Sequence, residues 1–184
     1  MKNLEDTFKR IVPILNLFKI KYWADYGTLL GIVRDGGIIK GDNDLDFSFP
    51  IDQLPVIASL KSVFKDNDIE LKLKREGHHK LLFPYLGSKI TSTDLFYWYK
   101  DGQKLYRKHY VYGYEQGSTI STDFINTLGS IRIWGLDVKI PGNVEKFLEL
   151  RYGDWKTPKP KSKDGYENNK NKRPNLSGRD KYFY

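Results

Sequence analysis

The stretch Tyr26–Phe49, YGTLLGIVRDGGIIKGDNDLDFSF, ends in three aspartates at alternate positions, Asp42, Asp44 and Asp46. The segment that carries them otherwise reads as a buried strand. On a strand alternate residues share a face, so Leu45, Phe47 and Phe49 fall on one side and Asp44, Asp46 and Ser48 on the other, the pattern of a half-buried strand. Residues two apart have Cα atoms about 6–7 Å apart, close enough for the Asp44 and Asp46 carboxylates to converge. Like charges that close repel unless something positive lies between them. A divalent cation meets that need: Mg²⁺ takes one or two carboxylates and fills its shell with waters and substrate phosphates, and paired ions can clamp a phosphorus under attack. The plainer reading is the solvent face of an edge strand, because a bare D-x-D is short and common. Three neighbours favour a site: the apolar face that anchors the strand, the glycine-rich loop RDGGIIKGDN, and Arg34, whose guanidinium can fork onto a phosphate.

The other half of the stretch is GTLLG. Gly27 and Thr28 open a short helix expected to run through Val33, with Thr28 or Gly27 as N-cap and Gly36 and Gly37 closing it. A helix N-terminus offers unpaired N–H groups and partial positive charge, which suit a phosphate. An ordinary strand-to-helix turn explains the same residues equally well.

Outward from this stretch, composition sets bounds. The 184 residues include 10 Phe, 13 Tyr and 4 Trp and no cysteine. That is a globular profile without a disulfide framework or thiolate metal site, so a metal must be held by oxygen or by the three histidines. No apolar run approaches the roughly 18 residues that a membrane span needs. The opening residues MKNLEDTFKR lack the apolar stretch of a secretory leader, and a cytoplasmic setting is expected. The net charge is +8, but residues 156–184 alone hold nine Lys/Arg and three Asp/Glu, a balance of +6. The body, residues 1–155, is close to neutral and reads as one catalytic domain followed by a basic, flexible tail over 156–184.

Leu4–Phe18 shows helical spacing with Pro13 inside it, expected to kink the helix. KYWADY is a short strand. Asp52–Phe64 reads as one longer helix with Pro55 in its first turn. IELKLKR, KLLFPYL, STDLFYWY and KLYRKHYVY favour extended chain, with KDGQ (Lys100–Gln103) as a hairpin turn. SIRIWGLDVKIP gives two short strands around Gly135. Asn143 is expected to cap a last helix, Val144–Tyr152, closed by Gly153.

Taken together, the residues resemble the LicD/fukutin family of phosphotransferases in the nucleotidyltransferase superfamily. Three motifs in family order carry the resemblance: GTLLGIVRDGGIIKGDNDLD, the aspartate of TDLFYW (Asp94), and PGNVEKFLELRYGDW (Pro141–Trp155). Lys40-Gly41 stands where the family has Pro-Trp, and Asn43 replaces one aspartate; neither departure touches Asp44 or Asp46. The resemblance implies an α+β fold, a nucleotidyltransferase-like mixed sheet with helices packed against it. It implies a phosphotransferase that moves a phosphorylated alcohol, such as phosphocholine or ribitol phosphate, from a CDP-linked donor to a hydroxyl of a glycan or glycolipid acceptor, releasing CMP. Asp44, Asp46 and Asp94 would hold Mg²⁺ or Mn²⁺ and act in catalysis. Gly27, Thr28, Arg34 and Asp42 would form the phosphate and nucleotide side.

Two other readings are open. Nucleotidyl transfer from a nucleoside triphosphate would use a similar acidic group and release pyrophosphate. A non-catalytic nucleic-acid-binding protein would fit the basic pI, but the near-neutral body and the acidic run oppose it, and no nucleic-acid partner is expected. His78, His79 and His109 read as surface residues, not a zinc site. Tyr97, Trp98 and Tyr99 read as sheet filling. Lys80, Arg107, Arg132 and Lys139 are long enough to reach a phosphate, but solvated strand edges are the preferred reading, and RYGDW reads as a helix end with Trp155 packed over it. The basic tail is expected to add weak contact with an anionic membrane surface, at the inner face. Removing the residues after Pro160 should reduce binding to anionic liposomes in a sedimentation assay; unchanged binding would remove the idea.

Overall fold

The computed structural model describes residues 4–76, 81–87, 92–111 and 114–158. The tail beyond Pro158, His78, His79 and Lys80 lie outside the described residues, as does the side chain of His109. The fold is α+β, a curled mixed sheet with helices packed against it.

The chain opens with α1 (Leu4–Leu17), which continues through Pro13 and buries Phe8, Ile11, Val12 and Leu15. Phe8 packs on Phe47, ring centroids 5.9 Å apart, and edge-on against Trp134 at 5.2 Å. The chain then enters β1 (Trp23–Ala24), α2 (Tyr26–Arg34) and β2 (Asp44–Pro50). A short 3₁₀ turn (Ile51–Gln53) leads into α3 (Leu54–Ser59) and α4 (Lys61–Asp66). The single helix expected over Asp52–Phe64 is thus in pieces, broken at Leu60. Its apolar stripe survives the break: Ile57, Leu60 and Phe64 are all buried and anchor both pieces on the core.

Strands β3 (Glu70–Glu76), β4 (Leu81–Gly87), β5 (Ser92–Asp101), β6 (Lys104–Val111) and β7 (Tyr114–Ser121) follow. The sheet runs β1-β2-β5-β4-β3, with β6 and β7 added beside β5. Its centre is the parallel pair β2 and β5, in register from Asp44 opposite Ser92 to Pro50 opposite Trp98. The KDGQ turn joins β5 to β6 as expected, with Gly102 at φ +53°. β7 was not expected from its own residues, YEQGSTIS, which carry little strand preference; it forms by pairing along the whole of β6. The short helix α5 (Asp123–Asn126) precedes β8 (Gly129–Ile133) and β9 (Leu136–Ile140), a separate hairpin turning on Trp134 and Gly135. The last helix is α6 (Val144–Tyr152).

The sequence pattern predicts a half-buried β2, and the structure corrects this. Leu45, Phe47 and Phe49 enter the core, but Asp46 and Ser48 on the opposite face are buried as well. The cover on that face is the start of α2. The cap is corrected too: α2 begins at Tyr26 and its N-cap is Asp25, whose side chain accepts a hydrogen bond from the Tyr26 N–H. Asn143 does precede α6, but in the left-handed conformation and without a side-chain capping bond.

The second glycine of GTLLG has a packing reason. After α2 the chain doubles back, and the Gly37 N–H bonds the Gly31 carbonyl. A Cβ on Gly31 would lie 2.5 Å from the Gly37 carbonyl oxygen and 3.0 Å from Ile39. This crossing returns the chain so that Asp42 comes back to the N-terminal end of α2. Gly31→Ala must therefore push backbone apart, and a loss of about 2–3 kcal/mol is expected from overpacking of this kind, read as a lower urea midpoint with unchanged slope.

Candidate active site

Asp46 faces Asp94 across the parallel ladder of β2 and β5. Asp44, Asp46 and Asp94 each offer one carboxylate oxygen, and these three oxygens all lie within 4.8 Å of one another. The juxtaposition follows from register: parallel pairing puts two carboxylates from distant segments side by side, and the period of two adds Asp44 on the same face. Asp46 is buried, while Asp44 and Asp94 are half-buried.

Asp42 joins the group through Gly27. A Cβ at Gly27 would lie 2.8 Å from Asp42 Oδ2 and 3.8 Å from Asp46 Oδ2. The missing side chain is what lets both carboxylates sit over the first turn of α2, where unpaired N–H groups favour negative charge. The buried Thr28 Oγ1 accepts the Asp46 N–H at 2.8 Å. The Asp46 carbonyl in turn accepts the Asp25 N–H at 3.0 Å. Where β1 ends, Thr28 takes over the edge of β2 and fixes the backbone of the central aspartate.

Arg34 lies at the other end of α2, seven residues on from Gly27. Its Nε and Nη2 both donate to the Asp35 carboxylate, each at 2.7 Å, which holds that carboxyl below its ordinary range. The structure thus brings Asp42, Asp44, Asp46, Asp94, Gly27 and Thr28 together, and leaves Arg34 forked onto its neighbour.

Residues without a site role in the sequence analysis also stand at the heart of the arrangement. Asp25 is fully buried. It accepts from Ser48 Oγ at 2.6 Å and from the Tyr26 N–H at 2.9 Å, and Arg151 Nη2 of α6 lies 3.2 Å from its Oδ1. Ser48 accepts from the Trp98 Nε1–H at 3.0 Å, which continues the network into β5. The Arg151 guanidinium also lies 4.0 Å from the Tyr26 ring centre. The RYGDW segment therefore does more than end a helix: Trp155 is buried as expected, and Arg151 pins the start of α2. At Arg107 an expectation is corrected. It is buried, not on a solvated edge, because aromatic rings from α2 and β5 enclose it. Arg132 and Lys139 are exposed as expected. Tyr97 and Trp98 are buried in the sheet. A hollow of about 550 Å³ between α5 and α6, lined by residues including Phe124, Lys146 and Leu150, contains none of these acids.

Electrostatically the acids need a counter-charge. Burial first, then the charges of Asp44, Asp94, Asp25 and Asp42, push the Asp46 carboxyl well above the ordinary 3.8. The donor set is all oxygen, which suits a hard cation such as Mg²⁺ or Mn²⁺, whose ligand oxygens sit roughly 3–4 Å apart.

Two outcomes follow from this geometry. A carboxyl whose folded pKa is raised binds its proton more tightly in the native state, so its ionisation opposes folding above that pKa and the penalty fades as pH falls toward 3.8. In chelator, Asp46→Asn should therefore melt higher than the parent at neutral pH, and the two should converge on acidification. Asp25→Ala should cost about 3–5 kcal/mol in urea unfolding, because it leaves the Arg151 guanidinium buried without its carboxylate.

The comparisons with known proteins bear on this same region. The family described as LicD/FKTN/FKRP, nucleotidyltransferase domain, matches residues 19–143, which include every acid of the cluster. The human ribitol 5-phosphate transferase FKRP is 24% identical over 158 residues, covering 83% of this chain and 32% of that protein. The human ribitol-5-phosphate transferase FKTN is 22% identical over 167 residues, covering 85% and 34%. Uncharacterized protein RP689 of Rickettsia prowazekii (strain Madrid E) is 28% identical over 163 residues, covering 83% and 55%. The chain thus spans about a third of the length of the two transferases. Among solved structures, the antibiotic-resistance factor ANT(2'')-Ia has a TM-score of 0.45 at 11% identity over 73% of this chain and 63% of that one, too slight to bear on function. With the family match covering more than half of its length and every residue of the acid cluster, the chain belongs to the LicD/FKTN/FKRP nucleotidyltransferase-domain family.

Proposed function

We propose that the protein is a metal-dependent transferase of phosphorus-containing groups that moves a phosphorylated alcohol from a CDP-linked donor to a hydroxyl of a glycan acceptor. The observation that carries this reading is the convergence of the Asp44, Asp46 and Asp94 oxygens in a chain of this family. Asp44, Asp46 and Asp94 would hold the divalent ion, magnesium or manganese, which when bound draws charge from the donor's phosphate oxygens and acidifies the acceptor hydroxyl.

The acceptor oxygen attacks the phosphorus that bears the alcohol. A new P–O bond forms, the P–O bond to the nucleotide breaks, and CMP leaves with the bridging oxygen. The acceptor's proton goes to a carboxylate, and Asp42 is the member of the group outside the three-oxygen cluster. A carboxylate within hydrogen-bond reach of the hydroxyl suits that transfer. Thr28 and Asp25 hold the β2 backbone on either side of Asp46, so the carboxylates meet the substrate with little rearrangement. Gly27 leaves room at the helix N-terminus for acid and phosphate to approach. Under this reading Arg34 meets a phosphate only by exchanging Asp35 for it. The acceptor's remaining contacts would come from outside the stretch matched to the transferases.

The test is CMP release from CDP-choline, CDP-ribitol and CDP-glycerol with Mg²⁺. Asp44→Ala, Asp46→Ala and Asp94→Ala should each lower the rate by about a hundredfold or more, roughly 2.7 kcal/mol of barrier, and chelator should abolish it in the parent. Retained metal-dependent CMP release in these variants would overturn the assignment. Pyrophosphate release from nucleoside triphosphates in its place would point to nucleotidyl transfer.

A further inference from the structure

Arg107 differs from the other arginines whose partners the structure gives. Arg10 reaches Asp68, Arg34 forks onto Asp35, Arg132 faces Asp137 and Arg151 faces Asp25. Arg107 has no carboxylate partner among the described residues, although it is only 8% exposed. Its Nη2 donates to Tyr26 Oη at 2.8 Å, and its Nε is sealed from solvent without an acceptor. The guanidinium lies 4.3 Å from the centre of the Phe96 ring, 5.3 Å from Tyr26 and 6.0 Å from Trp98. Aromatic faces offset part of the cost of burying a cation, but a buried charge without a counter-charge remains unfavourable.

Its surroundings tie Arg107 to the acids from two sides. Phe96, on which it lies, follows Asp94 by two residues on the same face of β5 and is in register with Ser48, two residues after Asp46 on β2. Tyr26, to which it donates, stands between the buried Asp25 and Gly27, over which the Asp42 and Asp46 carboxylates sit. The sheet also forks here. Along β5, β4 pairs with Ser92–Asp94 and β6 with Tyr99–Asp101, and neither ladder includes Leu95–Trp98. One face of the sheet therefore carries, side by side, the carboxylate cluster and a buried cation with no carboxylate partner among the described residues. A diphosphate carried by a divalent ion on the cluster would give that cation its anion.

We propose that Arg107 is a phosphate-binding residue, whose guanidinium, steadied by Tyr26 and Phe96, takes a non-bridging oxygen of the donor's diphosphate beside the metal held by Asp44, Asp46 and Asp94. This rests on the reading of the acid cluster as a metal–phosphate site, and it adds a contact that the three family motifs do not include. Arginine serves such a site better than lysine because its planar fork matches phosphate oxygens.

The test is titration calorimetry of inorganic pyrophosphate, and of CDP, in the presence of Mn²⁺, on the full chain and on Arg107→Met and Arg107→Lys. Mn²⁺ alone, followed by electron paramagnetic resonance, is the control. Arg107→Met should weaken pyrophosphate and CDP at least tenfold while leaving Mn²⁺ affinity within twofold, and Arg107→Lys should fall between it and the parent. Pyrophosphate binding within twofold of the parent in folded Arg107→Met would overturn the proposal. So would a parallel loss of Mn²⁺ affinity, or failure of both variants to fold, since each marks a purely structural arginine. Parent protein that binds pyrophosphate through Arg107 but releases no CMP from any CDP-alcohol would leave this assignment standing and retire the proposed reaction. CMP release with an unchanged KM in Arg107→Met would do the reverse.

Discussion

Asp25 sets the frame in which the acids can meet. Its carboxylate is sealed from solvent and is approached by a backbone N–H of α2, a hydroxyl of β2 and a guanidinium of α6. Each partner belongs to a different element, so the one side chain fixes where the helix begins, how it leans on the strand and where the last helix docks. A buried carboxylate is tolerated only when its charge and lone pairs are met, and here the partners that meet it do the positioning. The next residue shows the strain of the join. Tyr26 sits at φ +44°, in the left-handed region, a conformation that costs of order 1–3 kcal/mol for a residue with a Cβ. Its ring is held by Phe96 and by the guanidinium groups of Arg107 and Arg151.

The gathering of carboxylates opposes folding, and the local structure shows what offsets it. The fixed part is supplied by the first turn of α2, whose backbone dipoles face Asp42 and Asp46 across Gly27. Thr28 and Asp25 hold the Asp46 backbone from both directions, so repulsion among the side chains cannot peel the strand edge away. Under the proposed reading a bound cation would supply the rest of the balance, at a site whose backbone is already held in place.

Much of this was legible in the residues, for definable reasons. The alternation of Leu45, Phe47 and Phe49 with Asp44, Asp46 and Ser48 fixes both strand and facing, because the side-chain period of a strand is two. The GTLLG helix, the KDGQ turn, the strands around Gly135 and the α6 helix with its closing glycine are local patterns read from local residues. What stayed hidden depends on long-range packing. Asp25 is by type a better cap than Gly27 or Thr28, but where the helix starts is decided only when Ser48 and Arg151 come into contact with it. The burial of the polar face of β2 depends on which helix lands there. Arg107 looks like any strand arginine until Tyr26 and Phe96 close around it, and β7 forms because β6 offers it an edge. Asp94 was placed by resemblance to a family pattern and not by the chemistry of its neighbours; the register of β2 with β5 supplies the physical reason for its position.

The parallel pairing of β2 with β5 also bears on how the protein is made. Asp46 and Asp94 are neighbours in the sheet but 48 residues apart along the chain. Closing so long a loop comes late in folding, because entropy must be surrendered before the strands are rewarded with contacts. Until that step is complete the chain has no place where three oxygens converge, so partly folded molecules cannot chelate as the finished one does. An ion bound there, as proposed, would thereby be selective for completed molecules and, by mass action, would draw the population toward them.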